Sequence, residues 1–254
     1  MEIDNDMDNI SLEDIILMEK SLELEKFLKI ALEVVDEIEE YNKKNVIYGY
    51  VNPKNIIIYK NMNKVKLLDF EHIDNDISYN ILYMSPEQIG KIGNEVDYRT
   101  DFYSFGVTLY RAITGIVPIK GNNEMELTYS LVAKNPIPPH LMNPNIPVVV
   151  SKIIMKLLSK DPEDRYKSSY GIRSDLSKCC ISLLDKGYIE EFNICENDIS
   201  DKFKFTNKIY GRDKEIEEIM NKYFRACNGE LQVVYLTGSE GMGKTTIIKE
   251  IRSR

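Results

Sequence analysis

The chain has little cysteine, no excess of basic charge and no long hydrophobic run, and each shortage removes a class of answer. Only four of its 254 residues are cysteine. Cys179 and Cys180 are adjacent, while Cys195 and Cys227 stand alone. No C-x-x-C pair is present to hold zinc, and such sparse thiols fit the reduced state of a cytosolic protein. The net charge of -8 supplies no electrostatic attraction for nucleic acid or anionic lipid. Lysines are interleaved with acids, as at Glu39, Glu40, Lys43 and Lys44, which is the pattern of a solvated helix face. The apolar runs Val148–Val150 and Val233–Leu236 are far too short to cross a bilayer. The start lacks the basic, apolar, small-residue order of a secretory signal. The expectation is therefore no nucleic-acid partner and no membrane insertion.

What is present suffices for a packed core, since 43% of the residues are hydrophobic. Residues 1–20 are acidic and Asn-rich around Ile15, Ile16 and Leu17. From Leu22 to about Asn45 the apolar positions Leu24, Phe27, Leu28, Ala31, Val35 and Ile38 step by three and four, which predicts an amphipathic helix. The β-rich runs Asn55–Tyr59 and Val65–Leu68, around an Asn-containing turn, predict a hairpin. A polar, irregular stretch follows from Glu71 to Tyr79. Tyr103 to Thr114 is apolar on every face and predicts a helix in the middle of the core. Five prolines between Pro136 and Pro147 predict a long loop. Val148–Leu158 and Tyr170–Leu184 read as two further helices, and Lys186 to Asn207 as an aperiodic linker. Asp213–Tyr223 reads as a helix, Leu231–Leu236 as a buried strand, and Lys244 onward as another helix.

Five short motifs then fall in one order. Tyr48-Gly-Tyr-Val-Asn-Pro-Lys-Asn55 resembles the protein kinase catalytic loop H-R-D-x-K-P-x-N. Leu68-Asp-Phe-Glu71 resembles the D-F-G motif, and Met84-Ser-Pro-Glu87 the end of an activation segment. Asp97-Tyr-Arg-Thr-Asp-Phe-Tyr-Ser-Phe-Gly106 resembles the start of the central kinase helix, and Asp161-Pro-Glu-Asp-Arg-Tyr166 the late motif ending in arginine. Each is weak alone, but together they cover roughly residues 10–185 and resemble the C-terminal lobe of a Ser/Thr protein kinase. The resemblance implies a mainly α lobe with a small β-hairpin. It implies Asp69 and Asn55 as oxygen ligands for Mg2+, because phosphoryl transfer rests on positioning and charge neutralisation. It implies three architectural residues: Asp101, which accepts backbone N–H bonds from the catalytic loop, and Glu87 with Arg165, a buried ion pair.

The departures weigh more than the matches. The family's catalytic base is an aspartate, and Tyr50 stands at its position. A phenol, with a reference pKa of about 10, cannot act as a carboxylate near neutral pH. The family's His, Arg and loop Lys are Tyr48, Gly49 and Asn52, and Glu71 replaces the glycine of D-F-G. No G-x-G-x-x-G lid precedes the first long helix. Residues 1–20 resemble the hinge and small helix that follow the ATP-binding N-lobe, so that lobe is expected to be missing from this chain or supplied by another.

Gly238-Ser-Glu-Gly-Met-Gly-Lys-Thr245 matches the P-loop pattern G-x-x-x-x-G-K-[ST]. Its N–H groups would cradle phosphate at a helix N-terminus. Gly238, Gly241, Gly243, Lys244, Thr245 and Thr246 are the nucleotide-binding candidates, with Thr245 also a Mg2+ ligand. Tyr210-Gly-Arg-Asp213 resembles the opening box of AAA-type ATPases, so an incomplete α/β segment is expected here. The whole order resembles large multi-domain bacterial signalling kinases, and implies a cytoplasmic member truncated at both ends, with ATP and Mg2+ as cofactors and signalling proteins as partners. The expected division is a hinge-like piece 1–20, a kinase-like lobe 21–185, a linker 186–208 and an ATPase start 209–254.

Four functions stay open. The first is a catalytically impaired, pseudokinase-like regulatory or remnant module. The second is an active Ser/Thr phosphotransferase completed by an N-lobe in trans. The third is a nucleotide-binding regulatory ATPase module, and the fourth a decayed gene product.

Overall fold

The computed structural model describes residues 9–59, 64–73, 76–90, 95–199, 211–239, 242–244, 247–248 and 251. It separates into two compact units, Met1–Asp201 and Lys202–Arg254.

The first unit is mainly helical with one small antiparallel sheet. Strand β1 (Asn9–Ser11) runs into helix α1 (Leu12–Glu19), where the Ser11 hydroxyl accepts from the Asp14 N–H and caps the helix. Helix α2 (Leu24–Lys43) is the predicted amphipathic helix. Its stripe of Phe27, Leu28, Ala31, Val34, Val35 and Ile38 is buried. Its wet face carries the Lys29–Glu25 and Lys43–Glu39 ion pairs, each one helical turn apart. Strands β2 (Ile56–Tyr59) and β3 (Lys64–Leu67) form the predicted hairpin, with Ile56 opposite Leu67. The sheet has a third strand that the periodicity did not signal: β1 pairs with the outer edge of β2, Ile10 opposite Ile58. Three residues are too few to show an alternating pattern.

Two short helices interrupt stretches that were expected to be irregular. Helix α3 (Ile77–Asn80) is capped by Asp76, and helix α6 (Pro139–Met142) starts on a proline at its first turn, where no N–H is needed. Between them lie α4 (Arg99–Thr114) and α5 (Glu124–Ala133). Fourteen residues of α4 are buried, so this helix sits at the centre of the core as its all-round apolarity predicted. Two of its buried hydroxyls bond within the helix: Ser104 donates to the Thr100 carbonyl and Thr108 to that of Ser104. Gly106 lets helix α7 (Val148–Leu157) approach, since a Cβ built there would meet Leu157 Cβ at 2.7 Å. Helix α8 (Ser169–Lys186) packs against α2 and ends at Gly187, whose φ of +77° closes the helix in the left-handed region. The chain beyond α8 does not leave the lobe at once. Ile189, Phe192, Ile194 and Cys195 pack on the core. All four cysteines are free.

The second unit holds helix α9 (Asp213–Cys227), and Lys244, Ile247, Ile248 and Ile251 are also helical. Among its described residues, Ile216 and Ile247 are the buried apolar ones. The buried strand expected at Leu231–Leu236 is not present. Those residues adopt no regular element, and Leu231 and Tyr235 are 93% and 85% exposed. A strand is made by its neighbours, and among the described residues none pairs with this segment. The P-loop motif therefore lacks the strand that was expected to lead into it.

Candidate functional site

The loop from Tyr48 to Asn55 is held from below by one buried carboxylate. Asp101, at the first turn of α4, accepts the Tyr48 N–H at 2.8 Å and the Gly49 N–H at 2.6 Å. Burial pushes the Asp101 carboxyl up to about 6, against the pull of the two backbone donors. Gly49 turns the chain at φ +74°, a region closed to most side chains. Its carbonyl accepts from Gln88 Nε2 at 3.2 Å, so this one residue is tied to both the central helix and the segment after Ser85.

The Tyr48 ring fills the position below the D-F-G-like turn. It lies 5.0 Å from the Tyr41 ring and 5.4 Å from that of Phe70. Its hydroxyl donates to the Leu68 carbonyl at 2.8 Å, which ties the loop to the residue before Asp69. Burial raises the Tyr48 phenol well beyond the ordinary range, so it serves as a donor and not as a base.

Tyr50 is 38% exposed, and its backbone carbonyl accepts from Asn55 Nδ2 at 2.9 Å. Asn52 caps the short turn Pro53–Asn55 with its side-chain oxygen and donates its amide to Asn80 Oδ1 at 3.1 Å. Asn55 is buried, whereas Asp69 is exposed. The Leu68 N–H bonds the Asn55 carbonyl at 2.8 Å, extending the hairpin register and bringing the two candidate metal ligands to the same end of the hairpin. With its NH2 committed to Tyr50, Asn55 has its amide oxygen left for a ligand. Oxygen donors from an amide and a carboxylate suit a hard cation such as Mg2+ in kind. Among the described residues no group of three His, Cys, Asp or Glu could hold a metal by itself.

The segment between Asp69 and Glu87 lies over this loop. Asp76 caps α3 and meets Lys54 at 3.5 Å, and the Lys54 ammonium stands 4.0 Å above the Tyr79 ring. The Tyr79 hydroxyl donates to Glu13 Oε2 at 3.0 Å, and Glu13 is in turn paired with Arg111. Burial, the Tyr83 hydroxyl and the Glu13 charge all raise the Tyr79 phenol, so it remains protonated. Further along, Arg165 clamps Glu87 with two parallel bonds of 2.6 and 2.8 Å. Its other donors reach the carbonyls of Ser159, Arg99 and Lys160, so all five N–H groups are used. Burial pushes the Glu87 carboxyl up, but the bonds and charge of Arg165 outweigh it and hold the group below its usual range. Asn80, Gln88 and Glu13 were not singled out from the sequence. Their contacts are made across 28, 39 and 66 residues and leave no local pattern.

At the P-loop, Gly238 and Gly243 have φ of +154° and +80°. The Lys244 ammonium donates to the carbonyls of Gly238 and Ser239, both at 2.8 Å. Gly241, Thr245 and Thr246 lie outside the described residues.

Comparison with known proteins agrees with this order of parts. A family described as the protein kinase domain matches residues 3–176, and one described as an AAA ATPase domain matches residues 208–254. Hybrid signal transduction histidine kinase G of Dictyostelium discoideum is 31% identical over 66% of this chain and 6% of its own length. A probable serine/threonine-protein kinase of Clostridium perfringens is 34% identical over 66% of this chain and 26% of its own. Serine/threonine-protein kinase PknB of Mycobacterium tuberculosis is 29% identical over 67% and 29%. The chain thus spans less than a third of each of these relatives. Among the described residues no helix is long and apolar enough to cross a membrane. The match to the kinase-domain family over residues 3–176, on a lobe with a buried Asp101 anchor and a Glu87–Arg165 clamp, makes this chain a member of the protein kinase domain family.

Proposed function

We propose that the lobe is a pseudokinase-like signalling module, impaired in phosphotransfer, and that the second unit contributes a P-loop for nucleotide. The observation that carries the first part is Tyr50 at the place of the family's catalytic aspartate. Phosphoryl transfer needs a group that accepts the acceptor hydroxyl's proton, and a phenol does not do so near neutral pH. The segment that would receive an acceptor is also occupied, with Tyr79 and Asn80 bonded across the loop through Lys54, Asn52 and Glu13.

In this reading Asp69 and Asn55 could still meet a Mg2+ ion brought by nucleotide phosphates, while Tyr50 fails as the base. The lobe acts through protein partners in a cytoplasmic pathway. The test is a radiolabelled ATP assay with Mg2+ on the purified chain, beside Asp69→Ala. The expected result is equal, background incorporation in both. Transfer that Asp69→Ala abolishes would overturn the reading. If transfer arises only when a separately supplied Gly-rich N-lobe is added, an enzyme completed in trans replaces it.

A second reading has its own support. The glycine turns at 238 and 243 and the inward Lys244 ammonium form the start of a phosphate cradle. Equilibrium titration with ATP is expected to give binding that Lys244→Ala weakens about tenfold or more, the size of a lost bond to a charged group. Equal affinity in both chains removes the P-loop from the proposal.

A further inference from the structure

The kinase-domain match stops at residue 176, yet bonds to the lobe are made as far along as Asp198. The stretch after α8 turns back along the lobe and is fastened by two carboxylates pointing in opposite directions. Asp198 reaches in from the stretch. It accepts the Lys167 N–H at 2.8 Å, and the Ser168 N–H and hydroxyl both at 3.0 Å. Asp175 reaches out from α8. Fully buried, it accepts the Cys195 N–H at 2.7 Å and the Tyr166 hydroxyl at 2.7 Å through one oxygen. Gly171 makes room for Asp198, because a Cβ there would lie 2.7 Å from Asp198 Cβ. Exposed pairs Lys178–Glu196 and Lys152–Glu191 add weak support at the rim.

The residues being gripped are next to one another. Arg165 holds Glu87 at the end of the activation segment, Tyr166 holds Asp175, and Lys167 with Ser168 hold Asp198. Four consecutive residues therefore join the activation-segment anchor on one side to the strap on the other. We propose that residues 189–198 form a strap of the kinase lobe, coupled through Arg165–Ser168 to the seating of Glu87. The strap fixes the point at which the chain leaves the lobe, and that point responds to the state of the activation segment. Coupling of this kind acts equally in both directions. The inference does not depend on whether the lobe transfers phosphate.

Amide hydrogen exchange on the full chain tests it. Asp198→Ala removes three bonds to one carboxylate, and exchange across 189–199 is expected to rise about tenfold. The decisive reading is at 85–90, where exchange is expected to rise as well although no contact of Asp198 lies there. Glu87→Gln is expected to produce the reverse effect, faster exchange at Cys195 and its neighbours. Lys29→Ala, which breaks only the exposed pair with Glu25 on α2, should leave both segments unchanged. Circular dichroism and a cooperative melt establish that each variant is folded. If Glu87→Gln does not fold, Gly171→Ala takes its place as a second strap-end variant, read at 85–90. The proposal is overturned if 189–199 is unprotected in the parent chain, or if strap variants leave 85–90 unmoved.

Discussion

The side-chain amide of Asn52 donates to the side-chain oxygen of Asn80 at 3.1 Å, with Asn52 almost fully buried. The pair bridges the catalytic-loop position and the activation segment with neutral groups, at a place where the family uses a charged lysine. Asn52 also caps the turn that carries Asn55. Replacement Asn52→Ala should therefore loosen both segments. The expected loss is about 1–3 kcal/mol in urea unfolding, the cost of leaving buried polar partners unmet, with faster amide exchange across 76–83. An unfolding midpoint equal to the parent's would show that the bridge contributes nothing.

The Glu87–Arg165 clamp should behave as a buried pair does when half of it is removed. Glu87→Ala strands a guanidinium whose side chain is fully buried, and a loss of about 3–5 kcal/mol is expected. Replacing both partners together, Glu87→Leu with Arg165→Met, removes the stranded charge and should cost less than the two single losses added. Denaturant titration of the parent, Glu87→Leu, Arg165→Met and the double variant gives the coupling directly. A single replacement that costs under about 1 kcal/mol, the scale of an exposed pair, would contradict it.

Asp101 and Glu87 should pull the pH dependence of stability in opposite directions. The folded lobe holds the Asp101 proton more tightly than the unfolded chain does, up to about pH 6 against an ordinary 3.8. Between those values the native state binds more protons, so the stability contributed by this group falls as pH rises. Glu87, held below its ordinary value, contributes stability that is lost as pH falls. Comparison with Asp101→Asn isolates the first effect. The parent's advantage over that variant should shrink from pH 4 to pH 7, and an advantage that stays level across the range would refute the assignment.

The sequence disclosed those parts of the fold that repeat. The stripe of α2 and the all-round apolarity of α4 each recur over three turns or more, and both helices lie where periodicity put them. The spacing of five motifs disclosed the lobe. It did not disclose what single polar atoms do across long separations. Asp198 reads as one more acid in an aperiodic stretch, and only folding brings it to Lys167 and Ser168, 31 and 30 residues away. Apolar composition misled at Leu231–Leu236, where β-branched and aromatic residues promised a buried strand. Burial of a strand depends on neighbours that composition does not report. Proline misled in the other direction, because its ban applies to helix interiors, and α6 begins on Pro139.

The lysine of the P-loop is already hydrated by its own chain, in effect, with two carbonyl oxygens standing in for water around the ammonium. An arriving anion must outbid those dipoles before it gains the charge. A singly charged anion such as chloride offers little more than the carbonyls do, whereas a nucleotide's phosphates bring several negative charges at once. In the proposed nucleotide-binding reading, Lys244 gives up these two carbonyls when it meets phosphate, so the charge of the ligand decides whether the exchange is favourable.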